Sequence, residues 1–346
     1  MEETICAPKT IPSALEGFSR PLRLGELSLR SRWAMAPMAC EVHGDFKRNV
    51  AYYRSRAENH VGLIITGGIV VDHPLSGYNE HPDYPRFVEA QSGRLRAIAE
   101  AVHGAGGAVS AQVWHLGTQV PGGLGAVARS KDGKPFAREA EPERLPELIE
   151  AYAAGARMAK DAGFDAVELH GAHGYLLDGY LRRWGTWSGA GSPASRFAVD
   201  VIRAVRAAVG PRFPIGLRFS QWNVDDYGAR YLHSTGEMER FLAPLVEAGI
   251  DLFHASTRRF WLPAFEGSPL TFAGWTRRIS GKPVIAVGGF GSRHEGGPDV
   301  EETYRLADRL LADGECDLMA VGRGLLHDHG YCEKARAGRL EEMKVP

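Results

Sequence analysis

Cysteine is scarce in this sequence: Cys6, Cys40, Cys316 and Cys332 are the only four in 346 residues, far apart and with no Cys-x-x-Cys pair. That spacing suggests neither a disulfide framework nor a zinc or iron–sulfur cluster, so the thiols are expected to be free and reduced. An excess of one charge is also missing. The 41 Lys and Arg against 42 Asp and Glu leave a formal net charge of -1, scattered evenly along the chain. Such a surface has no basic face to condense on a phosphate backbone, which excludes nucleic acid as an expected partner. No run approaches the ~20 apolar residues that span a bilayer. The stretch Met1 to Ser19 has no basic segment leading into an apolar one. No membrane partner is expected, and a cytoplasmic location is; a homo-oligomer stays open.

What is present is an ordinary globular composition, 44% hydrophobic and 24% charged, enough for a large core. Short runs rich in Val, Ile and Leu recur between longer stretches of helical period, the signature of βα units feeding a parallel sheet. Eight such runs occur: Trp33 to Ala36, Gly62 to Thr66, Val109 to Trp114, Ala166 to Leu169, Ile215 to Arg218, Leu252 to Ala255, Val284 to Val287 and Leu318 to Val321. Leu145, Leu148, Ile149, Tyr152, Ala156 and Ala159 repeat at helical spacing and predict a helix over Leu145 to Asp161, stopped by Gly163. Pro193 to Val209 repeats the pattern before Gly210-Pro211. Strict alternation without a composition break predicts an α/β fold, a parallel (β/α)8 TIM barrel in one domain over 1–346, with the barrel proper near 20–335. Two connections, Gly68 to Glu89 and Leu116 to Arg144, are long enough to be read as lids or active-site walls.

In such a barrel the chemistry sits where the strands end. Those ends here carry Pro37-Met38, Gly67-Gly68, Gln112 to His115, His170 to Tyr175, Arg218, Gly288-Gly289 and Gly322-Arg323. The loops after strands seven and eight have small residues that let backbone N–H groups approach an anion, with Arg323 to pair it bidentately. Neither is a dinucleotide fingerprint, so a single phosphate group fits better than a pyrophosphate. Steric glycine turns are the plainer reading. Gln112 and Arg218 suit a flat heterocycle: an amide edge for the first, an anionic ring nitrogen and oxygen for the second. Flavin has both features, although a lone barrel Arg is often a structural ion pair. His170 and His173 offer two donors to a substrate oxygen as its charge grows, with the Tyr175 phenol as a proton source. The rivals are three satisfied loop side chains, or a His-x-x-His zinc pair, which finds no further ligand at a neighbouring strand end except Glu168 within its own strand. Cys40, after Ala36-Pro37-Met38-Ala39, is either functional or a packed thiol.

These segments resemble the Old Yellow Enzyme family of NAD(P)H:flavin oxidoreductases, FMN-dependent ene-reductases. The resemblance runs from Leu22-Arg23-Leu24-Gly25 and Ser31 to Met38, through Gly62 to Ile65 and Gln112 to Gly117, to Ala162 to Leu177 and Val321-Gly322-Arg323. It implies that Ala36, Pro37, Met38, Ala39, Gly68, Gln112, Arg218, Gly288, Gly289, Gly322 and Arg323 line the flavin. It also implies that His170 and His173 bind the substrate's electron-withdrawing group, that Trp114 shapes the cavity, and that Tyr175 donates the proton. NADPH or NADH is the implied hydride donor, a small-molecule alkene the implied acceptor, and no metal is implied.

Three features depart from the family. Ala39 stands where a Thr or Cys usually tunes the flavin, Thr118 replaces a common Arg, and Arg182 to Ser188 differs from the usual stretch after Leu181. Two other functions stay in view. One is a flavin-dependent dehydrogenase or demethylase working in the oxidative direction, whose relatives carry a cysteine cluster and extra nucleotide-binding domains not found here. The other is a flavin-binding sensor or partner module with little turnover.

Overall fold

A computed structural model describes residues 15–39, 45–77, 83–183, 193–293 and 297–344. Eight parallel strands close on themselves: β1 (Trp33–Met35), β2 (Leu63–Ile65), β3 (Ala108–Trp114), β4 (Ala166–His173), β5 (Ile215–Asn223), β6 (Leu252–Ser256), β7 (Val284–Val287) and β8 (Leu318–Val321). Each pairs with the next, and β8 pairs with β1, so no edge is left within the ring. Helices alternate with the strands and cover them, as the (β/α)8 expectation requires.

All eight runs read as strands are strands. The difference lies in β4 and β5, which continue to His173 and Asn223, well past the expected ends at Leu169 and Arg218. Polar residues at the barrel mouth end an apolar run in the sequence, yet the ladder continues through them from Leu169 and Leu217 to Gly171 and Phe219. The helices Leu145–Asp161 and Pro193–Val209 have the expected bounds, and Gly163 and Gly210, which follow them, take the left-handed backbone that stops a helix.

The two ends of the barrel differ. A short hairpin, Leu22–Leu24 with Leu27–Leu29, packs Leu27 and Leu29 with Ala34, Leu63, Ala108, Leu252 and Leu318 at the strand starts. That apolar plug leaves the opposite end for polar groups. Over this end lie the two long connections. The first adds Ile69–Val70 beside Val113 and Trp114, and the second folds into a small three-stranded sheet, Leu124–Gly125, Arg129–Lys131 and Lys134–Glu139. Its hairpin turns at Asp132-Gly133, both with positive φ, as a tight two-residue turn demands.

Candidate active site

Register builds the centre of the site. His170 on β4 lies beside Arg218 on β5, which lies beside His254 on β6, while Glu168 on β4 lies beside Gln112 on β3. The Gln112 amide donates to Glu168 Oε1 at 2.8 Å, and His254 Nδ1 donates to Glu168 Oε2 at 2.7 Å. Burial by itself raises the Glu168 carboxyl, but His254, Arg218 and the Gln112 donor outweigh it and hold the group below the usual carboxylate range. Glu168 is therefore the countercharge for Arg218. The Arg218 guanidinium is lowered by burial, which Glu168 opposes.

Residues 170 and 173 are an odd number apart and would point to opposite faces of a regular strand. A register shift between Gly171 and His173, with His173 at φ 68°, turns the second ring back beside the first. The two imidazoles then meet edge to face, 5.1 Å apart. His173 Nε2 is 2.9 Å from Ser256 Oγ, while His170 Nδ1 is buried without a partner among the described residues. Burial first and Arg218 second hold both rings well below the ordinary histidine range, so both are neutral at pH 7.

Tyr175 stands edge-on to His170 at 4.9 Å and to Trp114 at 5.0 Å. Burial, and then the Tyr84 phenol, raise its pKa, so it carries its proton at neutral pH. The turn before it is braced from two sides. Gly174 takes φ 89°, its N–H donates to Asp178 Oδ2, and its carbonyl accepts from Gln119. Gly68 lies under the Trp114 indole: a Cβ there would sit 2.4 Å from Trp114 Cε3.

Next to this cluster opens a cleft of about 780 Å³, lined by Ala36, Pro37, Met38, His173, Arg218, Gly288, Gly289, Gly322 and Arg323 among others. Gly288 and Gly289 both have positive φ, and a Cβ on Gly288 would meet the Thr257 carbonyl at 2.3 Å. A Cβ on Gly322 would meet nothing nearer than Met38 Sδ at 3.7 Å, so this backbone faces open cleft. Ala39 is exposed beside the cleft but not among its lining residues; Cys40 and Trp184 to Ser188 fall outside the described residues.

Several groups here were not singled out in the sequence. His254, Ser256 and Trp222 are buried or half-buried at the same barrel end, and Arg258, Arg259 and Arg293 line the cleft. From the sequence, Glu168 reads only as a rival metal ligand. The signal that finds His254 is its position in the sixth strand, level with Arg218, which a barrel register would supply.

Residues 18–342 match the NADH:flavin oxidoreductase / NADH oxidase family. The chain belongs to this family of FMN-dependent oxidoreductases, and the resemblance to the Old Yellow Enzyme family holds. It is 32% identical to an NADH oxidase of Thermoanaerobacter brockii over 93% of its own length and 51% of that protein's, so it spans about half of that relative. It is 30% identical to a chanoclavine-I aldehyde reductase of Penicillium roqueforti, covering 88% of this chain and 84% of the other. Morphinone reductase in complex with tetrahydroNAD superposes with a TM-score of 0.77 at 25% identity, covering 95% of this chain and 92% of the other. FMN and NAD(P)H are thus the cofactors of this barrel. Its cleft fits the flavin: open backbone at Gly322, left-handed glycines at 288 and 289, and a buried Arg218 Nε with no partner among the described residues.

Proposed function

We propose that this chain reduces the activated C=C bond of α,β-unsaturated carbonyl or nitro compounds at the expense of NAD(P)H. The observation that carries the reading is the cluster of two neutral, edge-to-face histidines and a protonated tyrosine beside the cleft. When bound, FMN supplies a two-electron carrier that accepts hydride from the nicotinamide and returns it to the acceptor.

Arg218 and the Gln112 amide, fixed by Glu168, would face the polar edge of the ring system. Ala36 to Ala39 and Gly68 would border it, and the backbone at Gly288, Gly289 and Gly322 with Arg323 would hold the phosphate. His170 and His173 hold the acceptor's carbonyl or nitro oxygen, donating hydrogen bonds that strengthen as negative charge collects there. Neutral imidazoles suit this role, because each keeps one N–H donor without a competing full charge. Tyr175 gives its phenolic proton to the α-carbon as hydride reaches the β-carbon, and it regains a proton from solvent. Trp114 packs against both His170 and Tyr175 and limits the acceptor's width. The net change is one NAD(P)H and one proton consumed for each alkene reduced.

Support for nicotinamide as the donor comes from morphinone reductase, whose structure holds tetrahydroNAD. The test is anaerobic NAD(P)H oxidation by the FMN-loaded protein with cyclohexenone, following the saturated ketone. One ketone formed per nicotinamide oxidised is expected; oxidation without alkene reduction would refute the reading.

A further inference from the structure

Arginine gathers at this end of the barrel in excess of what one flavin phosphate needs. Besides Arg218, whose charge Glu168 balances, Arg258, Arg259, Arg293 and Arg323 line the cleft, and Arg230, Arg258 and Arg259 line a neighbouring pocket of about 280 Å³. No Asp or Glu is among the described residues lining either cavity. The chain as a whole is nearly neutral, with a net charge of -1, so this accumulation is local. In a concave site unmatched positive charge focuses anions.

The two cavities share Trp222, Tyr227, Ser256, Thr257, Arg258 and Arg259. A continuous row of rings leads from the histidines into the smaller one. Trp222 stacks on His173 at 4.2 Å, and Tyr227 lies 5.5 Å from Trp222. The Arg258 guanidinium sits over both, 4.4 Å from the Tyr227 centroid and 5.5 Å from that of Trp222. Two aromatic faces hold the guanidinium while its N–H edge stays available to fork a carboxylate or phosphate. Arg258 and Arg259 have no carboxylate within ion-pair distance among the described residues. Of the three arginines in the smaller pocket, Arg230 alone donates a hydrogen bond among the described residues, one N–H to the Ala264 carbonyl.

We propose that the pocket around Arg258 binds an anionic group, carboxylate or phosphate, on the far end of the molecule whose reactive end lies at His170 and His173. The inference rests on the acceptor site proposed above. A neutral enone alone gives this end of the barrel no use for Arg230, Arg258 and Arg259, whereas a tethered anion reaches them along the Trp222 and Tyr227 faces. The anion belongs either to the acceptor or to the dinucleotide, which docks at the same flavin face.

Two phenols separate the terms in titrations of the FMN-loaded protein, read from the flavin absorbance: para-hydroxyphenylbutanoate and its N-methylamide. The acid is expected to bind about tenfold more tightly than the amide at low ionic strength, a margin that shrinks as salt is added. Arg258→Gln should cut the margin to below about twofold and leave the amide's affinity unchanged, while Arg258→Lys should restore part of it. FMN content per chain confirms that each variant is intact. A second arm measures flavin reduction against NADPH and NADH concentration. Weaker saturation by NADPH alone in Arg258→Gln would assign the pocket to the dinucleotide's extra phosphate, and loss of the acid's margin alone would assign it to the acceptor. Equal binding of acid and amide by the parent, with dinucleotide saturation unaffected by Arg258→Gln, would overturn the proposal. A parent that bound neither phenol would overturn the acceptor site at His170 and His173, and this inference with it.

Discussion

Glu168 and His254 are joined by a 2.7 Å hydrogen bond between two fully buried side chains, and the same carboxylate takes the Gln112 amide on its other oxygen. Burial and Arg218 keep His254 low despite Glu168, so the imidazole is neutral and the buried charges are Glu168 and Arg218.

Glu168→Gln should therefore strand the Arg218 charge in the barrel and free the Gln112 amide to rotate. Leaving a buried donor without its charged acceptor costs about 1–3 kcal/mol. We expect that loss in urea unfolding of the FMN-free protein, together with a shift of the flavin absorbance maximum in the loaded one. Unchanged stability and spectrum would mean that Glu168 does not compensate Arg218.

Gly68→Ala tests whether the wall at Trp114 is rigid. The added methyl would meet the indole at 2.4 Å and must disturb its packing on His170 and Tyr175. Overpacking of this kind costs about 1–3 kcal/mol. Thermal unfolding should show it, and phenol affinity should fall with it. Parental values in both would show that the indole gives way without consequence.

Much of this site was legible because a barrel puts function where apolar runs stop. Val109 to Trp114 and Ala166 to Leu169 are apolar enough to mark strands, so Gln112, His170 and His173 could be placed at the mouth. Pairings across strands were not legible. Gln112 and Glu168 are 56 residues apart, and Glu168 and His254 are 86 apart; register alone brings them together. The return of His173 to the His170 side depends on a bulge that no periodicity announces. Arg258 follows strand β6 in an unremarkable stretch, and its partners Trp222 and Tyr227 come from the preceding unit.

Acid should weaken the fold through its neutral imidazoles. Burial and then His73 lower His115 from 6.5 to about 3, and burial and then Arg218 hold His170 and His173 well below the ordinary value. The unfolded chain thus binds more protons below pH 6.5, and stability is lost as pH falls through that window. Asp178 acts in the opposite sense. Burial raises it from 3.8 to about 6 even against Arg182, so its contribution is present below pH 3.8 and lost as pH rises through about 6. Urea unfolding between pH 7 and 4 should show a net decline. Asp178→Asn should steepen that decline by removing an opposing group, leaving only the carboxyl of Asp308, which burial also raises, to act in that sense among the described residues. A slope unaltered by the substitution would contradict the assignment.

Tyr175→Phe is the most direct test of the proposed chemistry, because only delivery of a proton to carbon needs the phenol. The variant should bind FMN and be reduced by NAD(P)H near the parental rate. A positioned general acid is worth about 10²–10⁴-fold, so single-turnover mixing of the reduced variant with cyclohexenone should show reoxidation slowed by that much. A nitroalkene should suffer less, since its nitronate can leave unprotonated. Parental reoxidation by both acceptors, or slowing confined to reduction by the nicotinamide, would contradict the assignment of Tyr175 as the proton donor.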